Sequence, residues 1–239
     1  PLGGEWRTEL TLGDKTRVTS ELYQPIDYGS DWFATAVVGF LREDRALYEQ
    51  GTLTSSYATE TREFGFDAGY SLDTRGEFRI GFRQAKIKNN KLLGAESLSA
   101  KVDDSRYFAR AGFDTLDALG FPTQGVRVLG EYSIYDATLG ATRQYDGVTL
   151  DILYPLYHNT GTTVLGQGYL GYLFETAVAD VTPRYSLGGF TRLSGYSPNE
   201  ISGRHAGLLS LMGYQRLKEH TIVPIDQPLF IGFSLEAGN

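Results

Sequence analysis

Cysteine is absent from the 239 residues, which excludes a disulfide framework and any thiolate metal site. It does not fix the compartment. Basic residues are outnumbered, 22 against 29 acidic ones, for a formal charge of -7. That balance argues against nucleic acid as a main partner, because phosphate binding needs clustered Lys and Arg. Long apolar runs are missing too. The best, Trp32 to Leu41, falls short of the roughly 18 residues that a membrane-crossing helix needs. No segment of useful length has helical periodicity. No Gly-x-Ser-x-Gly elbow occurs, since Gly232-Phe233-Ser234-Leu235-Glu236 fails at its last position. His158, His205 and His220 lack ligand spacing and read as plain interface or loop residues. No catalytic residue, metal or cofactor is therefore expected in this chain.

Tyr (16), Phe (13) and Gly (29) are abundant, a mixture that suits strands, tight turns and aromatic belts at a membrane surface. The mean hydropathy of -0.25 looks soluble, yet a membrane barrel gives the same average because only alternate residues face lipid.

The dominant pattern has period two. Phe64, Phe66, Ala68 and Tyr70 alternate with Gly65, Asp67 and Gly69. Phe78, Ile80 and Phe82 alternate with Arg79, Gly81 and Arg83. The same holds for Val126 to Tyr135, Gly147 to Tyr154 and Leu229 to Glu236. One face is apolar and aromatic; the other mixes charge, Gly and small polar groups. Stretches of about 10 residues exceed the strands of a soluble sandwich and match a tilted bilayer crossing. The fold class expected is all-β, an antiparallel transmembrane β-barrel occupying residues 1–239.

About thirteen segments can be counted. They begin near Trp6, Arg17, Trp32, Ala46, Glu63, Gly76, Leu92, Arg106, Gly125, Tyr145, Thr162, His205 and Pro228. Turns are expected at Gly13-Asp14, Asp73 to Gly76, Asn89-Asn90 and Asn159 to Gly161. Glu175 to Gly203 is the long irregular stretch, and a loop of that length is usually functional. The parity places Phe64, Phe66, Phe78, Ile80, Phe82, Val128, Ile152, Leu229 and Ile231 toward lipid. Arg79, Arg83, Arg110, Arg127, Glu131, Asp67 and Asp151 face inward, as a pore lining or, more plainly, a salt-bridged wall.

Three segments, in order, resemble the surface-antigen superfamily of outer-membrane barrels, which holds the BamA-like assembly factors and two-partner-secretion transporters. Asp114 to Gly125, DTLDALGFPTQG, resembles the family's Asp-rich turn before Phe-Pro-x-x-Gly. Its marked residues are Asp114, Phe121, Pro122 and Gly125; as a bare turn they would be purely structural. Leu187 to Tyr196, LGGFTRLSGY, resembles the loop that folds back into the lumen. Its motif residues are Gly188, Gly189, Arg192, Ser194, Gly195 and Tyr196. The common family form ends Ser-Val-Arg-Gly-Tyr/Phe, so Arg and Ser have exchanged places here, and Arg192 becomes the candidate charge. Leu235 to Asn239, LEAGN, resembles a family strand carrying Asp where this sequence has Glu236. Parity turns Glu236 inward, where a carboxylate can receive an inserted arginine. The resemblance thus implies an Arg192 contact with Glu236 or another inward acid.

Gly3 to Gly13 (GGEWRTELTLG), Glu21 to Asp27 (ELYQPID) and the form of the lumen loop are similar to the barrel of patatin-like phospholipase autotransporters, type V secretion subtype d. That resemblance implies a barrel of the sixteen-stranded type in the bacterial outer membrane, with about three closing strands absent here. It implies a patatin hydrolase and a periplasmic domain upstream, the hydrolase being the passenger, and an export signal in a longer precursor. The partners expected are outer-membrane lipid, the barrel assembly machinery, that passenger and a second copy. With an odd segment count, the two sheet edges near Trp6 and Phe233 are expected not to close on each other. The alternative function is an assembly or polypeptide-secretion barrel, or a barrel fragment held as a client of the assembly machinery.

Overall fold

Alternating β-branched, aromatic and small residues leave the backbone one economical choice, the extended strand. The computed structural model describes residues 3–13, 15–29, 31–49, 51–94, 101–174, 185–217 and 229–239. Its strands are β1 (Glu5–Thr11), β2 (Lys15–Pro25), β3 (Trp32–Glu49), β4 (Thr52–Leu72), β5 (Gly76–Gly94), β6 (Lys101–Asp103) and β7 (Arg106–Asp114). They continue with β8 (Arg127–Tyr135), β9 (Tyr145–Asn159), β10 (Thr162–Leu173), β11 (Tyr185–Leu187), β12 (Ile201–Gly203), β13 (His205–Arg216) and β14 (Phe230–Gly238). No helix among the described residues is long and apolar enough to cross a membrane, which says nothing about crossing by strands.

Twelve strands form one antiparallel sheet in the order β1-β2-β3-β4-β5-β7-β8-β9-β10-β13-β14, with β6 beside the far end of β5. The all-β antiparallel barrel class expected from the alternation is thus what the chain adopts. Among the described residues β1 pairs only with β2 and β14 only with β13, so the sheet is open there. The neighbouring pair β11–β12 is a separate small sheet inside the long loop.

Residues directly opposite in an antiparallel ladder share a face. One such row runs Glu21, Val37, Gly65, Arg83, Arg106, Tyr135 and Tyr145. Another runs Leu153, Gln167, Ser210 and Glu236. The second row also shares its face with Arg127, opposite Leu153 on β8. Many inward side chains are buried although no second sheet of comparable size covers them: Phe33 is 0% exposed, Thr35 4% and Asp67 5%. A single sheet buries one face only by curling around it. The opposite face is open, with Phe66 at 54%, Ile80 at 53% and Ile231 at 62% exposed. Of the nine positions read as lipid-facing, Phe82 and Val128 are half-buried by neighbours on the same face, and the others are exposed.

Glycines on the inward face make room for large neighbours. A Cβ on Gly69 would lie 2.4 Å from the Phe33 ring, and one on Gly65 2.8 Å from Arg83 Cδ. That is the steric reason for Gly between the aromatics of Phe64 to Tyr70.

Several boundaries differ from the sequence reading. The starts at Ala46, Glu63 and Leu92 fall inside strands; β3, β4 and β5 run unbroken for 18, 21 and 19 residues. Asn89-Asn90 is no turn: both pair with β4, and Thr59 Oγ1 donates to Asn89 Oδ1 at 3.1 Å. A bilayer needs only about 9–11 residues per strand, so these strands project well past it. Beyond the bilayer the outward face turns polar and the apolar alternation lapses. Turns at Asp73–Arg75 and Thr160–Gly161 are present, with Asp73, Thr160 and Gly161 at positive φ. Asp14, His220 and Pro228 lie outside the described residues, as does 175–184 of the long loop. A bulge in β9 opposite Val164 and Leu165 sits beside Pro155, a position where the missing N–H is tolerated.

Candidate functional site

The inward face carries charge in pairs. Asp67, with a side chain 0% exposed, lies on β4 opposite Gly81. Its Oδ2 accepts from Arg83 Nη2 at 2.6 Å, and its Oδ1 accepts from Thr35 Oγ1 at 2.6 Å and Arg79 Nη1 at 3.4 Å. Arg79 also donates to Glu77 through Nε (2.7 Å) and Nη2 (2.9 Å) and to Glu21 at 3.1 Å. Its guanidinium lies 5.0 Å over the Phe33 ring, and that of Arg83 4.8 Å over Phe108. A second cluster centres on Glu131. Arg110 reaches its Oε2 at 2.8 and 2.5 Å, Ser133 donates to Oε1 at 2.8 Å, and Arg106 stands 3.6 Å away. Arg127 and Asp151 are 3.7 Å apart. All seven inward charges singled out in the sequence are therefore paired, which makes this face a braced wall. Glu21, Thr35, Glu77 and Arg106 join it without having been singled out; each has inward parity, which was the available signal.

The long loop is seated on the same face. Leu187 and Leu193 are buried against Ala206 and Leu208 of β13, with Tyr169, Tyr185 and Ile201 around them. Gly188 has φ +120°, and a Cβ there would fall 2.1 Å from Ser197 O, so only glycine fits. Gly188 N donates to Arg192 O and Gly189 N to Tyr196 O, closing a tight turn. Gly195 faces open space, where a Cβ would meet nothing within 4 Å, and Tyr196 is 48% exposed.

The expected Arg192–Glu236 pair is replaced by another contact. Glu236 Oε2 accepts from Ser194 N at 2.6 Å, and the Ser194 hydroxyl lies 3.0 and 3.1 Å from its two oxygens. Ser234 Oγ adds a third donor at 2.7 Å. Arg192 instead places its guanidinium 4.3 Å over the Tyr169 ring. The exchange of Arg and Ser explains this. A short hydroxyl now stands where the longer cation would be, and the carboxylate takes that hydroxyl together with the backbone N–H. Glu236 thus keeps the inward position given by its parity, and β14 tethers a loop that leaves from β10. Tyr169 was not foreseen, since only the β10–β13 pairing brings it beneath the loop.

The loop tether has a direct test. Glu236→Ala removes every acceptor for Ser194, whereas Ser194→Ala leaves the backbone N–H bond. Hydrogen bonds to a charged group contribute about 1.5–3 kcal/mol. Amide exchange at residue 194 is expected to accelerate at least about tenfold in E236A and less in S194A. Equal exchange in wild type and E236A would show that the carboxylate does not hold the loop.

The turn from β7 to β8 reaches the same wall from the opposite end. Asp114 Oδ1 accepts from Leu116 N at 2.9 Å, and Gly125 takes φ +91° with no space for a Cβ beside Thr115 O. Phe121 stacks on Phe230 with centroids 4.0 Å apart, and buried Pro122 accepts from the Tyr214 hydroxyl through its carbonyl. Asp117, not among the residues singled out, braces the turn by accepting from Thr123 N at 2.8 Å, Gln124 N at 3.2 Å and Thr123 Oγ1. The Thr123 hydroxyl bond, helped by the two backbone donors, holds the Asp117 carboxyl below the ordinary carboxylate range. A depressed carboxyl stabilises the fold above its unfolded pKa and loses that effect as pH falls through the folded one. Protection of the Thr123 and Gln124 amides is therefore expected at neutral pH and should fade in acid. Asp117→Asn should remove the pH dependence; an unchanged acid profile in that variant would exclude Asp117 as its source.

His158 Nδ1 lies 2.8 Å from Thr163 Oγ1 and His205 stacks on Tyr172, both ordinary structural contacts. No group of three or more potential metal ligands occurs among the described residues.

A family model described as the Omp85 superfamily domain matches residues 3–221. Among solved structures, the chain is similar to BamA from Haemophilus ducreyi lacking POTRA domains 1–3, with a TM-score of 0.66 and 14% identity over 92% of this chain and 49% of that one. The chain spans about half the length of that solved chain, and at this identity the likeness concerns the fold. No curated protein matches.

Proposed function

The chain belongs to the Omp85 superfamily, and from that premise we propose that it is the outer-membrane anchor and translocator barrel of a patatin-like phospholipase autotransporter. The observation that carries the reading is the Gly-Gly-Phe-Thr-Arg-Leu-Ser-Gly-Tyr loop, seated on the lumen wall through Ser194 and Glu236. The two N-terminal segments that share the autotransporter resemblance also take part in the structure: in the first, Trp6 Nε1 donates to Ser20 Oγ at 2.6 Å. Glu21 binds Arg79, and Asp27 Oδ1 accepts from Trp32 N at 3.2 Å in the turn after β2.

In this reading the barrel does no bond chemistry. Its apolar outer face holds it in outer-membrane lipid, and its braced wall keeps the curled sheet rigid. The loop sets what can pass the lumen. The serine hydrolase is a passenger domain upstream, and the barrel assembly machinery inserts the whole.

The open β1 and β14 edges favour a second reading, in which the barrel handles other polypeptides or is itself held by the assembly machinery. An unpaired backbone group in hydrocarbon costs several kcal/mol, so strands from elsewhere or another copy have to meet these edges. The full-length gene separates the readings. Lipase activity that fractionates with the outer membrane, needs detergent for release and disappears when residues 3–239 are deleted supports the first. A precursor bearing several periplasmic docking domains and no hydrolase would replace it with the second.

A further inference from the structure

The outward face ends its apolar belt at a sharp level. On β3 the outward residues are Trp32, Ala34, Ala36, Val38 and Phe40, then Arg42 and Asp44. On β4 they are Tyr70, Ala68, Phe66 and Phe64, then Arg62 and Glu60. On β5 they are Phe78, Ile80 and Phe82, then Gln84, Lys86 and Lys88. The ladder aligns these changes: Phe40 is opposite Arg62, which is opposite Lys86. One step further out, Arg42 is opposite Glu60, and Glu60 opposite Lys88. Beyond them Asp103 faces Lys86 and Lys101 faces Lys88.

Arg62 and Lys86 are like charges directly opposite on one face, an arrangement that destabilises a sheet unless an anion sits between them. Among the described residues no ion pair engages Arg42, Arg62, Lys86 or Lys88; Glu60 and Asp103 are neighbours in register without reaching ion-pair distance. All four cations are exposed. The inward arginines Arg79, Arg83, Arg106 and Arg110 each have a carboxylate partner, so the chain does supply acids where cations need them. In a chain of net charge -7, the register gives Arg42 and Lys88 the Glu60 carboxylate between them but sets Arg62 directly against Lys86, a local excess of positive charge at the rim of the apolar belt that suits an external anion.

Directly beneath them lies a shallow groove on the apolar face, bordered by Phe66, Ala68, Ile80, Phe82 and Tyr107. Ala68 lies opposite Ile80, and this small side chain leaves room between the larger ones that border the groove. Arg62 and Phe66 are four residues apart on β4, about 13 Å at the usual strand rise. A charged headgroup at Arg62 and Lys86 would thus place an acyl chain in the groove.

We propose that this rim binds an anionic phosphorylated lipid of the adjacent leaflet, its phosphate between Arg62 and Lys86 and its chain along Phe66 and Ile80. The site depends on the barrel crossing a membrane, not on which passenger it carries. It is tested on the full-length protein in non-ionic detergent by native mass spectrometry. The probes are phosphatidylglycerol, zwitterionic phosphatidylcholine and inorganic phosphate. Wild type is expected to retain phosphatidylglycerol in preference to phosphatidylcholine. The double variant R62Q/K86Q should lose about thirtyfold in affinity, since each cation near a lipid surface contributes about 1 kcal/mol. R75Q, in a lower turn, should lose nothing. Equal retention of the two lipids by wild type overturns the proposal even if the variant does not fold. Displacement by equimolar inorganic phosphate overturns it too, because the groove would then have no part.

Discussion

Placing arginine at Phe66 is expected to destabilise the folded protein in phospholipid vesicles by about 2–4 kcal/mol. Phe66 is 54% exposed on the outward face and tilts against Phe82 with ring centroids 5.9 Å apart. Its position, four residues inside the charged rim at Arg62, is where a guanidinium meets hydrocarbon. Phe66→Ala separates the lost ring contact from the cost of the charge. Glu60→Arg supplies the second control, since residue 60 has the same outward parity above the belt. Equilibrium unfolding by denaturant should rank F66R well below F66A, with E60R well above F66R, since residue 60 loses only its attraction to Arg42 and Lys88 across a solvated rim. If F66R and E60R prove equally stable, the outward face is not in lipid and the membrane-crossing reading fails.

The alternation was legible where a bilayer imposes it and illegible where it does not. From Phe64 to Tyr70 each residue type follows from its face, so the fold class and the lipid-facing set could be read directly. Past Arg62 on β4 and Lys86 on β5 the outward face turns polar, and burial there, as at Tyr57, Ala58 and Thr59, no longer follows alternate residues. Asn89-Asn90 there looked like a turn, although the ladder continues through it. The lumen loop divides in the same way. Glu236 could be placed inward because strand parity is local arithmetic. Its partner could not be read, because whether Arg192 or Ser194 reaches it depends on how Leu187 and Leu193 bury against β13. The ring under Arg192 belongs to β10, and sequence spacing carries no trace of that neighbour. The docking of Phe121 and Pro122 on Tyr214 and Phe230 was hidden for a similar reason: the turn motif was visible, its receptor distant.

The wall offers the second large effect. Asp67→Ala is expected to cost about 3–5 kcal/mol, the usual consequence of leaving a buried charge without its partner. The loss falls unevenly. Arg79 keeps Glu21 and Glu77, whereas Arg83, with a side chain 10% exposed, retains only the Phe82 carbonyl and the face of Phe108. Arg83→Ala alone should cost less, because Asp67 would still hold Thr35 and Arg79. The double variant D67A/R83A should then be more stable than the sum of the single losses predicts, as residues sharing one network do not add. The size of that coupling decides what the inward charges are for. A positive coupling of about 1–3 kcal/mol identifies a brace that holds β3, β4 and β5 in one curled sheet. Simple additivity would mean that water already screens the pair, and the inward face would be a wetted pore lining instead.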